Sequence, residues 1–238
     1  MVYQTLTLTN LPVKSAVRIS AAATEDASTS LVDKITIKRK VHGTSTWTTI
    51  KTIAVTNISH FSFNLLDYGT KSKHSYDYGL FPSKLSIEED GIIGEVNCDF
   101  DSLFIGTATI QHVAILNVKC VSKRSSNSVV TTPLYSKYPR HIQIGSANYS
   151  TGSASGIFTP YENDCKPIFT HIRQYKDALL DFLCNGTPKI LKTPDGRAWY
   201  VAIGPNPGED DSDISDAAGI SFEWTEIGEL PIDWVVAA

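Results

Sequence analysis

Apolar and polar residues alternate with a period of two along most of this chain, and no other feature constrains its fold as much. Ile35-Thr36-Ile37-Lys38-Arg39-Lys40-Val41 puts Ile35, Ile37, Arg39 and Val41 on one face. His42-Gly43-Thr44-Ser45 reads as a turn, and Trp47-Thr48-Thr49-Ile50 returns as the antiparallel partner. Residues 61–65 and 75–80 alternate again, with turn material at Asp67-Tyr68-Gly69-Thr70 between them. No helical window interrupts this series. It predicts an antiparallel β-sandwich over residues 1–100, with no helix longer than two turns.

Further strand candidates follow at 92–98, 103–105 and 111–121. Lys123-Arg124-Ser125-Ser126-Asn127-Ser128 reads as a polar loop, and strand candidates at 140–144 and 156–159 flank a Gly/Ser-rich run over 145–156. One helix is expected, at about 171–184. It carries Ile172, Tyr175, Leu179, Phe182 and Leu183 on one stripe, with Thr170 as N-cap and Asn185-Gly186 as its stop. A hairpin over 189–203 turns at Thr193-Pro194-Asp195-Gly196, with Trp199, Val201 and Ile203 inward, and a last strand runs over 220–227. The whole chain is therefore expected to be all-β, as two β-sandwich domains over 1–100 and 101–238. The second carries the amphipathic helix and covers its open face with it.

Catalytic signatures are absent from the sequence. There is no G-x-S-x-G elbow, no G-x-x-x-x-G-K-[ST] and no G-x-G-x-x-G, and no feature selects a carboxylate pair for glycoside hydrolysis. The six histidines, His42, His60, His74, His112, His141 and His171, stand in no H-x-H or H-E-x-x-H arrangement. Calcium loops beginning at Asp211 or Asp213 fail. Position six would be Asp216 or Ala218 and position twelve Phe222 or Trp224, where glycine and glutamate are needed. Trp47, Trp199 and Trp224 fall within strand patterns, which fits either core packing or a sugar-stacking platform. No catalytic, cofactor-binding or metal-binding residue is assigned, and no enzymatic activity is expected.

Net charge is −4, with 21 basic and 25 acidic residues, which does not suit a nucleic-acid binder. The acids are unevenly placed: after Arg197 there is no Lys or Arg, while Glu209, Asp210, Asp211, Asp213, Asp216, Glu223, Glu226, Glu229 and Asp233 follow. One face or end is thus expected to be acidic. Apolar runs are too short for a membrane helix, and the first residues do not read as a signal peptide. Cys98, Cys120, Cys165 and Cys184 form no C-x-x-C pair and are expected as free thiols in a reducing compartment.

Two stretches carry a resemblance. Residues 30–80, through Ile35-Thr36-Ile37-Lys38-Arg39-Lys40, Trp47-Thr48-Thr49-Ile50, and Phe61 through Asp67 leading to Tyr76-Asp77-Tyr78, resemble the fibronectin type III-like modules of tailed-phage structural proteins. The usual module has a tryptophan on its second strand, where this chain reads Ser15-Ala16-Val17-Arg18-Ile19. Tyr138-Pro139, the segment to Ser155-Gly156, the helix ending Asp181-Phe182-Leu183-Cys184-Asn185-Gly186, Pro188-Lys189-Ile190-Leu191-Lys192 and Asp195-Gly196-Arg197 follow in order. That series resembles the C-terminal half of distal-tail and baseplate proteins from phages of Gram-positive hosts. The resemblance implies a non-enzymatic tail component, assembled in the host cytoplasm into a ring or collar with copies of itself and with tube or hub proteins. It implies no nucleic-acid or membrane partner and carries over no active-site residue. A carbohydrate- or receptor-binding module of the same apparatus is the alternative.

The chain's end supplies the candidate subunit-contact residues. Ile232, Trp234, Val235 and Val236 make an apolar terminus, and such ends fray unless something holds them. Two placements are open: an edge strand folded back onto its own domain, or docking on a neighbouring subunit.

Overall fold

The computed structural model describes residues 3–161, 166–168, 170–210, 219–232 and 234–238. Its first half opens with β1 (Gln4–Leu11), β2 (Ala16–Ala23), β3 (Lys34–Val41) and β4 (Thr48–Ala54). A 3-10 turn at Ile58–Phe61 leads into β5 (Phe63–Asp67), β6 (His74–Lys84), β7 (Ile87–Glu88) and β8 (Ile92–Cys98). One sheet runs β1-β2-β5 and the other β4-β3-β6, with β7 and β8 both paired to β6. The alternation explains how they pack. Ile35, Ile37, Tyr78 and Leu80 from one sheet meet Val17, Ile19 and Leu65 from the other in a single core. Arg39 keeps the same phase, so its guanidinium points inward to the buried carboxylate of Asp67. Asp67 accepts from Arg39 Nη1 at 2.5 Å, Tyr78 Oη at 2.7 Å and the Gly69 amide at 2.7 Å. Burial alone would lower the Arg39 pKa, but the charge and hydrogen bond of Asp67, with Tyr78 and Tyr76, together outweigh it and the net shift is upward.

The second half contains β9 (Leu103–Gly106), β10 (Gln111–Thr131), β11 (Arg140–Phe158), α1 (Ile172–Cys184), β12 (Lys189–Lys192), β13 (Ala198–Ile203), β14 (Gly208–Asp210) and β15 (Gly219–Gly228). Strand order is β11-β10-β9-β12-β13-β15, and β15 pairs back onto β11 from Thr151↔Thr225 to Gly156↔Ile220. That last pairing closes a six-stranded barrel, so the two open sheets expected here do not form. Closure leaves these strands without free edges inside the ring.

The Gly/Ser-rich run is the reason the barrel was hidden. Residues 145–156 lie inside β11 rather than between two strands, and the expected polar loop over 123–128 lies inside β10. Their small and polar side chains carry no alternation to read, yet their backbone pairs strand to strand. Gly152 shows why a side chain is excluded, because a Cβ there would lie 1.9 Å from the Val121 carbonyl oxygen and 2.9 Å from the Trp224 ring.

The helix packs as its stripe requires. Leu179, Phe182 and Leu183 join Leu103, Ile105, Phe158, Leu191, Val201 and Phe222 in one core, and Tyr175 lies at its margin. The N-terminus differs from expectation. His171, not Thr170, is the N-cap, in a left-handed conformation with no side-chain cap bond. Gly186, left-handed just past the C-cap Asn185, ends the helix as expected. Leu179 is fully buried, so Leu179→Ala should lower stability by about 2–5 kcal/mol in denaturant unfolding. A loss below about half a kcal/mol would mean that the site is not packed as described.

β16 (Val235–Ala237) completes the fold by returning to the first half. It pairs with β5, Val235 opposite Asp67 and Ala237 opposite Leu65, and makes the four-stranded sheet β1-β2-β5-β16. Residues 101–238 therefore do not form one separate sheet system. Between the halves lies a third cluster of Ala16, Leu66, Tyr68, Phe104 and Ile190, with Trp234 and Val236 packed on it.

Lys192 crosses this junction. Its fully buried ammonium donates to the Ser15 carbonyl at 2.6 Å and lies 5.1 Å from the centre of the Phe104 ring. Burial pushes its pKa down to about 7. Above that pH the unfolded chain holds a proton that the folded chain has released, so this group makes stability rise with pH. The buried Cys98 thiol is pushed up to about 12 and acts in the opposite sense only above its ordinary value of about 8.5. Between about pH 7 and 8.5, wild type should therefore gain about 1–2 kcal/mol over Lys192→Met in urea titrations. Equal slopes would show that Lys192 stays protonated throughout.

Candidate assembly surface

β10 and β11 outrun the barrel. β11 leaves β15 at Thr151, but its pairing with β10 continues through Arg124↔Ser150 to Thr131↔Arg140. Eight further residues of strand reach roughly 25 Å at about 3.3 Å per residue. The result is a two-stranded arm ending in the 132–139 connection. A free hairpin of this kind has no core beneath it, and its apolar side chains stay in water. Val130 is 67% exposed, Leu134 84%, Tyr135 100% and Tyr138 69%. These exposed apolar side chains lie together on one projection.

Charge sharpens the contrast. From residue 102 to 161 there is no acidic residue, while Lys119, Lys123, Arg124, Lys137 and Arg140 are all present. All five are exposed. Lys123 and Arg124 also line a recess of about 520 Å³ at the arm's root, with Lys71, His74 and Arg197. Arg197 bonds to β10 just below the arm through Ser122 Oγ at 2.6 Å and is held ionised by Asp195, whose hydrogen bond raises its pKa. The expected acidic end is found along β15 and the turn after it, where Glu223 and Glu229 are exposed. Glu226 on the same strand accepts from the Ser150 amide at 2.7 Å. Asp211, Asp213, Asp216 and Asp233 lie outside the described residues.

The terminal candidates divide. Val235 is buried in the chain's own first core, and Trp234 and Val236 are half-buried at the junction. Main-chain bonds from Tyr68 N to Trp234 O at 3.0 Å and from Ala238 N to Asn64 O at 3.0 Å hold the segment down. Ile232, 51% exposed, is the one of the four that faces outward. The segment forms an edge strand, but on the first half's sheet rather than on residues 101–238. The arm is not legible as strand in the sequence, because its polar and small residues read as loops. The signal available was the long acid-free interval.

The tryptophans are placed as core or core margin. Trp199 and Trp224 are buried with ring centroids 4.6 Å apart, and Trp47 packs half-buried against Phe81 just ahead of β4. The exposed aromatics among the described residues are Tyr135, Tyr138 and Tyr149, all on the arm.

Pairing of β6 with β8 also gathers His42, Asp77 and Glu95, whose ligand atoms lie within 4.8 Å of one another. Hydrogen bonding to Asp77, then the Glu95 charge, raises the His42 pKa. Burial alone would raise the Asp77 pKa, but bonds from His42 and Lys40 outweigh it and lower it. Lys40 Nζ, 3.3 Å from Asp77, already supplies the positive charge an incoming cation would bring. The arrangement works as a surface ion-pair network.

Cys98, Cys120 and Cys184 are free thiols, and Cys165 lies outside the described residues. No helix among the described residues is long and apolar enough to cross a membrane. No protein-family model matches this chain, and no curated protein matches it.

Proposed function

We propose that this chain is a non-enzymatic structural subunit of a phage or phage-like tail, assembling with its own copies into a ring or collar at the tail tip or baseplate. The observation that carries the self-assembly is the arm, a basic hairpin projecting past the barrel with Leu134 and Tyr135 in water. The tail assignment rests on the sequence resemblance, with the facing sheets of the first half read as the fibronectin type III-like sandwich. Tube and hub proteins are the further partners on this reading, in a virion tail built in the host cytoplasm. Nucleic acid and membrane are not partners. Electron microscopy of intact particles with the chain located by antibody labelling tests it. Label at the tail tip is expected, whereas label on the capsid or no label on the particle would overturn the assignment. The exposed tyrosines favour a second reading, in which the arm contacts a host glycan. Binding in a glycan-array screen that is lost in Tyr135→Ala would support that reading.

A further inference from the structure

We propose that the arm and its basic root in one copy receive the acidic β15 face of a second copy, joining copies head to tail. This rests on the self-assembly reading above and names the partner surface. The two surfaces are complementary in charge. Among the described residues no carboxylate pairs with Lys119, Lys123, Lys137 or Arg140, and no ammonium or guanidinium pairs with Glu223 or Glu229. Each surface also exposes apolar groups beside its charges, Val129 and Val130 on the arm and Ile227 between Glu226 and Glu229. Between residues 124 and 150 the hairpin no longer pairs with its own β15, so Lys137 and Arg140 project past that strand.

A contact between two different surfaces of the same chain is heterologous. It generates a ring where the rotation closes and a filament where it does not. Opposite charges desolvated at a contact also steer encounter and fix register, while like charges brought together cost several kcal/mol. A polyanion such as DNA would meet the same bases. The second copy is favoured because the chain itself carries the matching acidic strand and is acidic overall.

Two charge-reversed full-length proteins test this. One carries Lys123→Glu and Lys137→Glu, the other Glu223→Lys and Glu229→Lys. All four positions are exposed, so melting temperatures should match wild type. In sedimentation velocity each variant alone should lose at least about tenfold in self-association, and wild type should weaken similarly between about 50 and about 500 mM salt. Mixing the two variants should restore assembly, because the acidic arm of one then meets the basic β15 of the other. Variants that each assemble like wild type would overturn the docking address and leave self-assembly standing through another face. A mixture that stays dissociated would overturn it as well. Wild type that is monomeric at both salts would overturn both this inference and the reading beneath it. Tight binding of a short DNA duplex, lost in the arm variant with wild-type self-association intact, would overturn it in favour of a polyanion.

Discussion

Replacing Asp67 with alanine is expected to remove about 3–5 kcal/mol of stability, enough to leave the first half unfolded or nearly so at ordinary temperature. The carboxylate is fully buried on β5, and three donors converge on it. Its removal leaves the Arg39 guanidinium inside the core without its counter-charge. Burial of the unpaired cation then costs far more than the pair contributed. The Tyr78 hydroxyl, 2.7 Å from the carboxylate and itself buried, loses its acceptor at the same time. Replacing both charged residues with apolar side chains, Arg39→Met with Asp67→Leu, should recover much of the loss, because no orphaned charge remains. Urea unfolding of the single and double variants measures this. A single variant within about 1 kcal/mol of wild type would show that solvent reaches the pair.

Deleting residues 234–238 should cost roughly 3–6 kcal/mol, since burial of one large apolar side chain contributes about 1.5–3 kcal/mol. Val235 is buried, Trp234 and Val236 are partly so, and β5 would become an open edge. Loss of the strand also uncovers Leu66 and Tyr68 at the junction of the halves. The expected outcome is a lower melting temperature of the isolated subunit. Lost assembly at an unchanged melting temperature would instead return the terminus to the role of a subunit contact.

How much of this was legible in the sequence depends on what each segment had to contact. Ile92–Cys98 and Lys189–Lys192 are legible to the residue, because each faces a core on one side or both and its composition shows it. The helical stripe was legible for the same reason, although Lys176 on the buried side, held to Glu209 at 2.9 Å, was not. Phe61 looked like a strand residue yet closes a 3-10 turn, where its ring still fills the first core. The closed barrel was not legible, because it depends on β11 accepting two neighbours through Gly152 and the serines around it. Nor was the arm. A hairpin none of whose described side chains is buried has no pattern imposed on it by a core, and only its charge marks it. Pairing of the terminus across to β5 links residues about 170 positions apart and leaves no local trace.

Sedimentation equilibrium of the full chain, beside a version whose 132–139 connection and flanking exposed strand are replaced by a two-residue turn, tests the arm as the assembly element most directly. The full chain is expected to form a closed oligomer of fixed size, and the shortened chain a monomer with an unchanged melting temperature. A shortened chain that forms the same oligomer, or a full chain that stays monomeric at every concentration, would contradict it.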